Sequence, residues 1–310
     1  MRTAQRFKVR SVFAAAAAVL LVTPIAVSGT VTAHAASVKP SASVLKKSNS
    51  YYRKHAKTLG KKYKLVYDAQ TALKKNGKAV VWVNTSDKQL KKSVQLAMDY
   101  WNHKLGKKEF TKGSKKNHTL TFSVSHAQAS KSDNSDAWWT PGTKKVQVRW
   151  SYYQDAKKDI AQKMSEPYQV AFYKQYNTTI TSTAKKNLAA QGVDPAANNY
   201  SALLEQEETK VAEGLKAFQS VNKTLTAINN SVAAQGRMYE YAGTIAHEFG
   251  HTMGLDHSPN AKDLMYYESG TNKVYSYKQV TTKMKSYNPV TATDKARAQL
   301  ALKIYVAAHK

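Results

Sequence analysis

Three stretches of the chain have the spacing of strands. AVVWVNTS (79–86) is a continuous apolar run of buried-strand type, while HTLTFSVSHA (118–127) and KKVQVRWSYY (144–153) alternate as half-buried strands do. Between the first two, Leu90, Val94, Leu96, Ala97, Tyr100, Trp101 and Leu105 recur at helical intervals over 88–105, with Ser86 as N-cap and Gly106 as stop. The predicted order is therefore strand, helix, strand, strand, with KSDNSDAWWTPG (131–142) as a loop. Residues 154–235 change character. They are polar, rich in Ala, Lys and Gln, and read as a helical insertion broken at Pro167, around 177–179 and at 192–195. Its best helix is predicted over 202–221. Met238, Tyr241, Ile245 and Phe249 then step by three or four into another helix that ends at Gly254, and 290–309 reads as a C-terminal helix capped by Thr291 or Thr293 with Asp294 in its first turn.

The two ends of this pattern are different again. Arg2, Arg6, Lys8 and Arg10 precede an apolar run at 12–27, shorter than the roughly 20 residues of a membrane span, and Ala33-His34-Ala35 offers a cleavage site, so 1–35 reads as an export signal. Residues 36–78 hold twelve Lys or Arg against one acid, Asp68, and read as a partly ordered basic segment, a propeptide or linker. The compact domain is expected over 79–310. The chain is expected to be released or held at the cell wall, as a monomer, with no transmembrane segment once the signal is removed.

Composition narrows the chemistry. There is no cysteine, which excludes disulfides, thiol catalysis and thiolate ligands. The net charge is +28, and removing the four signal-peptide charges gives 28 − 4 = +24. Such a field favours polyanionic surroundings, anionic wall polymers among them. The charge is carried mostly by Lys, which lacks the planar fork of Arg, so specific nucleic-acid recognition is not expected.

HEFGHTMGLDH (247–257) carries the sharpest signal. His247 and His251 are four apart and share a helix face. Glu248 stands beside the first of them, able to reach a metal-bound water without ligating the metal. Gly254 can take positive φ and turn the chain so that His257 becomes a third ligand. Three nitrogens and a water make an open, catalytic type of zinc site. A chance match at all five positions is on the order of 10⁻⁵ over a chain of this composition.

His247-Glu248-x-x-His251-x-x-Gly254-x-x-His257 resembles the zinc signature of the metzincin metallopeptidases. Met265, eight residues beyond His257 in the sequence DLMY, resembles their methionine turn, with a spacing most similar to the matrixin branch, here as a bacterial secreted protein. The resemblance covers roughly 79–153 and 236–310. It implies an α+β fold with a twisted mixed sheet, an active-site helix, a methionine turn and a C-terminal helix. It also implies one catalytic Zn²⁺, Glu248 as general base and a protein or peptide substrate. Tyr267 sits where some metzincins have an oxyanion-assisting tyrosine. The peptide is expected to lie along 144–150 as an added strand, with 267–275 forming a pocket wall.

The chain departs from matrixins in its long insertion, in the absence of a latency cysteine, and in lacking a His-rich loop for a second zinc. Asp68 is the one acid in 36–78 able to cap the metal. His118 and His126 share a strand face as ordinary packed or exposed histidines. No clear calcium motif is present, although a structural Ca²⁺ remains compatible with the family. Two other functions stay open from the residues alone: a wall-associated adhesive protein with vestigial proteolysis, and a hydrolase of peptidoglycan cross-links.

Overall fold

A computed structural model describes residues 37–131, 133–267, 276–282 and 284–310. The export-signal segment and the stretch 268–275 lie outside the described residues. No helix among the described residues is long and apolar enough to cross a membrane. The fold is α+β. The chain divides into two compact units, one over 158–234 and one formed by the rest of the described residues.

The larger unit holds a five-stranded mixed sheet. Its strands are β1 (Ala79–Asn84), β2 (Phe110–Lys112), β3 (Leu120–Ser125), β4 (Ala137–Thr140) and β5 (Lys145–Arg149), in the order β2-β1-β3-β5-β4. The first four positions in that order pair in parallel, and β4 pairs antiparallel to β5. β4 is therefore an edge strand and β5 an interior one, which corrects the expectation that 144–150 lies open to a peptide. The physical reason is a tight reversal at 141–144, where Lys144 takes φ +53° and folds AWWT back onto KVQV. Aromatic and β-branched residues flanking Pro-Gly are a hairpin signal that was legible in the sequence.

Helix α1 (Ala42–Leu45) and helix α2 (Asn49–Tyr63) precede the sheet. Residues 37–78 thus differ from the expected partly ordered segment. Tyr52, Leu59 and Tyr63, with Ala56 partly buried, recur at helical intervals on α2 and enter the main core, while Lys54, Lys57 and Lys61 lie on the opposite, exposed face. Ser48 caps the helix by accepting from the Tyr51 amide, and Lys64 closes it with φ +53°. The abundance of lysine masked an amphipathic period that was present.

Helix α3 (Lys88–Leu105) follows β1. Its N-cap is Asp87, one residue beyond the expected Ser86, and Gly106 ends it with φ +70°. A single helix α4 (Trp150–Ala190) follows β5 and runs on into the smaller unit. It continues through Pro167, which is exposed, so water can serve the Lys163 carbonyl that the proline leaves unbonded. In the smaller unit, helix α5 (Tyr200–Gly214) and helix α6 (Lys216–Ala227) replace the one helix expected over 202–221, with Leu215 extended between them. Glu207 accepts from Asn187, Glu208 accepts from Thr181, and Phe172 meets Phe218 edge-on at 5.8 Å. A π-turn at Ile228–Val232 leads into helix α7 (Ala233–Thr252). Short helix α8 (Tyr277–Thr282) and helix α9 (Ala292–Ala308) complete the chain.

Candidate metal centre

Helix α7 carries the first two histidines. Its apolar face of Tyr241, Ile245 and Phe249 is buried, Phe249 stacks on Phe110 at 4.8 Å, and the Trp101 indole donates to the Ala246 carbonyl at 2.7 Å. With that face fixed, His247, Glu248 and His251 point towards the cleft beside β4. Gly254 then turns the chain with φ +87°, as expected. A side chain there would also press on Gln70, whose amide donates to the Met253 carbonyl at 2.8 Å.

The turn brings His257 back. The candidate ligand atoms of His247, His251 and His257 all lie within 4.8 Å of one another, so the three could hold a metal ion. His247 Nδ1 bonds the Leu264 carbonyl at 2.7 Å, and His251 Nδ1 bonds the Leu255 carbonyl at 2.7 Å. A carbonyl accepts only, so each Nδ1 carries the proton and each Nε2 presents a lone pair. Burial also pushes the His251 imidazole down to about 4 and lowers that of His257, which keeps both in the neutral, ligating form. The cluster is graded in depth: His247 is buried, His251 intermediate and His257 exposed.

Glu248 is 8 % exposed, and burial pushes its carboxyl up to about 8, while the Trp139 backbone N–H beside it acts in the opposite sense. Edge strand β4 thus runs beside the acid next to the first histidine.

Met265 lies in a turn and packs against Gly250, one residue before His251. Met265 is fully buried. Its carbonyl accepts from the Ser258 amide, and the Leu264 and Met265 amides reach the two oxygens of Asp294 at 2.9 and 3.4 Å. Thr291 is the N-cap of α9 and forms a capping box with Asp294. The sequence alone gives Asp294 the role of a helix-end charge. The structure gives it a second task, because the Leu264 peptide that it holds also orients His247.

Other contributors were not anticipated. Gly250, inside the motif, faces Met265: a Cβ there would lie 2.2 Å from Met265 Sδ and 3.3 Å from Trp101. Gly250→Ala is expected to cost about 1–3 kcal/mol by overpacking and to weaken metal retention, read as a lower Tm and faster metal loss to a chelator. Residues 64–70 strap the turn from outside. Val66 donates to Gly254, Asp256 donates to Lys64, and the Trp139 indole donates to Ala69. Arg297, fully buried, donates to the carbonyls of Tyr63, Lys64 and Asp256.

Tyr267 is 61 % exposed on the cleft rim. Asp68 is exposed and lines a different groove, beside Tyr305 and His309, so it does not face the histidines. His118 and His126 flank β3 and lie against Trp82 and Trp150, outside the cluster.

The cleft measures about 570 Å³. Comparison with known protein families, curated proteins and solved structures finds no match to this chain.

Proposed function

We propose that the protein is a secreted zinc-dependent endopeptidase of metzincin type. The observation that carries this reading is the separation of the His247 and His251 Nε2 atoms, 3.1 Å. With each Nδ1 protonated, two lone pairs face each other at that distance, an arrangement that a shared proton or a metal cation relieves. Two nitrogens bound to one tetrahedral zinc at 2.0–2.1 Å stand about 3.3–3.4 Å apart. The donor set of three neutral imidazoles, with no thiolate in the chain, suits zinc, and His257 completes an open site. A zinc ion held there supplies Lewis acidity to a water molecule and to the scissile carbonyl.

The chain's own residues supply the rest. Edge strand β4 offers its outer backbone groups to an extended peptide, which sets the carbonyl beside the histidines. Glu248 takes the proton of the attacking water and passes it to the leaving amine. Its burial raises its proton affinity, which suits it to hold that proton between the two steps. The Tyr267 hydroxyl donates to the developing oxyanion from the rim; Tyr267→Phe is expected to lower kcat about tenfold, and unchanged turnover removes that role.

The test is metal analysis with a peptide-library digest. The wild type is expected to bind one zinc and to cleave. Glu248→Ala is expected to keep the zinc and lose cleavage by about 10³-fold. Bound zinc with no Glu248-dependent cleavage overturns the proposal.

Charge distribution favours a second, wall-binding property. Residues 158–234 hold eight Lys and seven acids, whereas the other described unit carries nearly all of the remaining positive charge. Salt-sensitive retention on isolated cell walls is the corresponding measurement.

A further inference from the structure

The cleft differs in charge from the protein that surrounds it. Its described lining contains Asp136, Glu248 and Asp256, but no Lys or Arg, although the whole chain holds 48 of these against 20 acids. Glu248 is committed to proton transfer, and Asp256 accepts from the His257 amide at 2.8 Å. Among the described residues the Asp136 carboxylate has no such engagement.

Asp136 stands immediately before β4, partly buried in the cleft wall. Its backbone carbonyl accepts from the Arg149 amide, but its carboxylate accepts no hydrogen bond among the described residues. The Arg149 charge acts on this carboxyl in the opposite sense to burial, but it is already engaged. The Arg149 guanidinium donates to the carbonyls of Ser135, Ala127 and Asp133 and pairs with the Asp133 carboxylate at 3.0 Å. Burial raises the Asp136 carboxyl above its ordinary value, so the site holds an undercompensated acid. An arriving cation would supply what the described residues do not.

Position along the edge strand sets where that cation arrives. Trp139, whose backbone N–H lies beside Glu248, marks the level of the reacting bond. Asp136 is three residues away, about 10 Å at 3.3 Å per residue. A peptide lying on β4 therefore presents a side chain two or three residues from the scissile bond to Asp136. Val66, 42 % exposed, lines the same cleft near Ala69, whose carbonyl accepts from the Trp139 indole. Exposed apolar surface there suits an apolar substrate residue.

We infer that Asp136 is a specificity-determining residue that selects cationic peptides, by pairing with a Lys or Arg two or three residues from the bond that is cut. The inference rests on the endopeptidase reading above and names its substrate class. A partly desolvated ion pair of this kind is worth roughly tenfold in discrimination.

The experiment uses the zinc-loaded full chain and matched peptides that carry Lys or Gln at each position around the cleaved bond. The wild type is expected to favour Lys over Gln about tenfold in kcat/KM at one position, two or three residues from the bond. Asp136→Asn is expected to bring that ratio to about one, and Asp136→Glu to restore part of it. A ratio near one in the wild type overturns the inference, and so does a ratio unchanged in Asp136→Asn. Binding of the same peptides to Glu248→Gln, read by fluorescence anisotropy, separates the two proposals. Lys-selective binding that depends on Asp136, without cleavage by the wild type, overturns the endopeptidase reading and keeps the cation preference. Neither cleavage nor selective binding overturns both.

Discussion

A chain shortened to begin at Ala79 is expected to lose its fold and all activity, recovered as aggregate or as a species without a cooperative melting transition. The removed segment contributes Val38, Tyr52, Leu59, Tyr63, Leu65 and Leu73 to buried positions. At about 1.5–3 kcal/mol for each large apolar side chain, their burial is worth on the order of 10 kcal/mol. The net stability of a domain is about 5–15 kcal/mol, so the loss is of the same size as the whole. Polar connections go with it. Arg297 would keep only the Asp256 carbonyl of its three acceptors, Tyr305 would lose the Leu73 carbonyl, and the Gly254 turn would lose Val66 and Gln70. The turn that presents His257 would have no outer support. A removable lid gives the opposite result, a shortened protein that is folded and more active than the full chain. Circular dichroism melting with zinc stoichiometry on both lengths checks this directly.

Replacing Arg149 by Met is expected to destabilise the larger unit by about 3 kcal/mol or more and to abolish ordered peptide binding. Arg149 sits at the end of β5 and is completely buried. Its guanidinium collects the carbonyls of Ala127, Ser135 and Asp133 and lies over the Trp138 and Tyr152 rings at 5.1 and 5.6 Å. It thus gathers the loop that leads into β4 around a single positive charge, as a structural cation would. Methionine preserves much of the volume and removes every donor. Three carbonyls then lose their partner, and the cost of each orphaned polar group is roughly 1–3 kcal/mol where water cannot replace it. The salt bridge to Asp133 adds little, because that carboxylate is largely exposed. Since β4 follows this loop directly, its slackening would move Trp139 away from Glu248. The expected readout is a fall in Tm together with a rise in KM, with zinc content retained, because the three histidines are held by α7 and the methionine turn. Lost zinc with an intact KM would contradict this assignment. Added calcium should neither raise the Tm of the wild type nor rescue the variant.

The candidate site was legible to an unusual degree, because it is local. His247, Glu248 and His251 share one helical turn, Gly254 needs only its own backbone freedom, and His257 follows within three residues. Met265 was readable for the same reason of short spacing. What surrounds these residues was not. Asp294 was visible as a helix cap but not as the anchor of Leu264, since that bond spans thirty residues of sequence. Gly250 looked like a filler in the motif until Met265 was placed against it. The edge strand was misplaced by one strand, because alternation in 144–150 is equally compatible with an interior strand, and only pairing decides which neighbour lies outside. In the basic segment the high net charge hides a helical period at 52, 56, 59 and 63.

The sequence by itself determined the candidate donor set: two imidazoles and a carboxylate within one helical turn, a turn glycine that brings back a third imidazole, and a cysteine-free chain. It also determined the helices around that motif, because local periodicity and capping act over a few residues. Only the tertiary structure decided that the lysine-rich segment is part of the core, that β4 is the edge facing Glu248, and that Arg149 and Arg297 hold the two loops beside the cleft. Those features depend on which distant groups meet when apolar faces are buried and buried carbonyls must find donors. No window of sequence contains both partners.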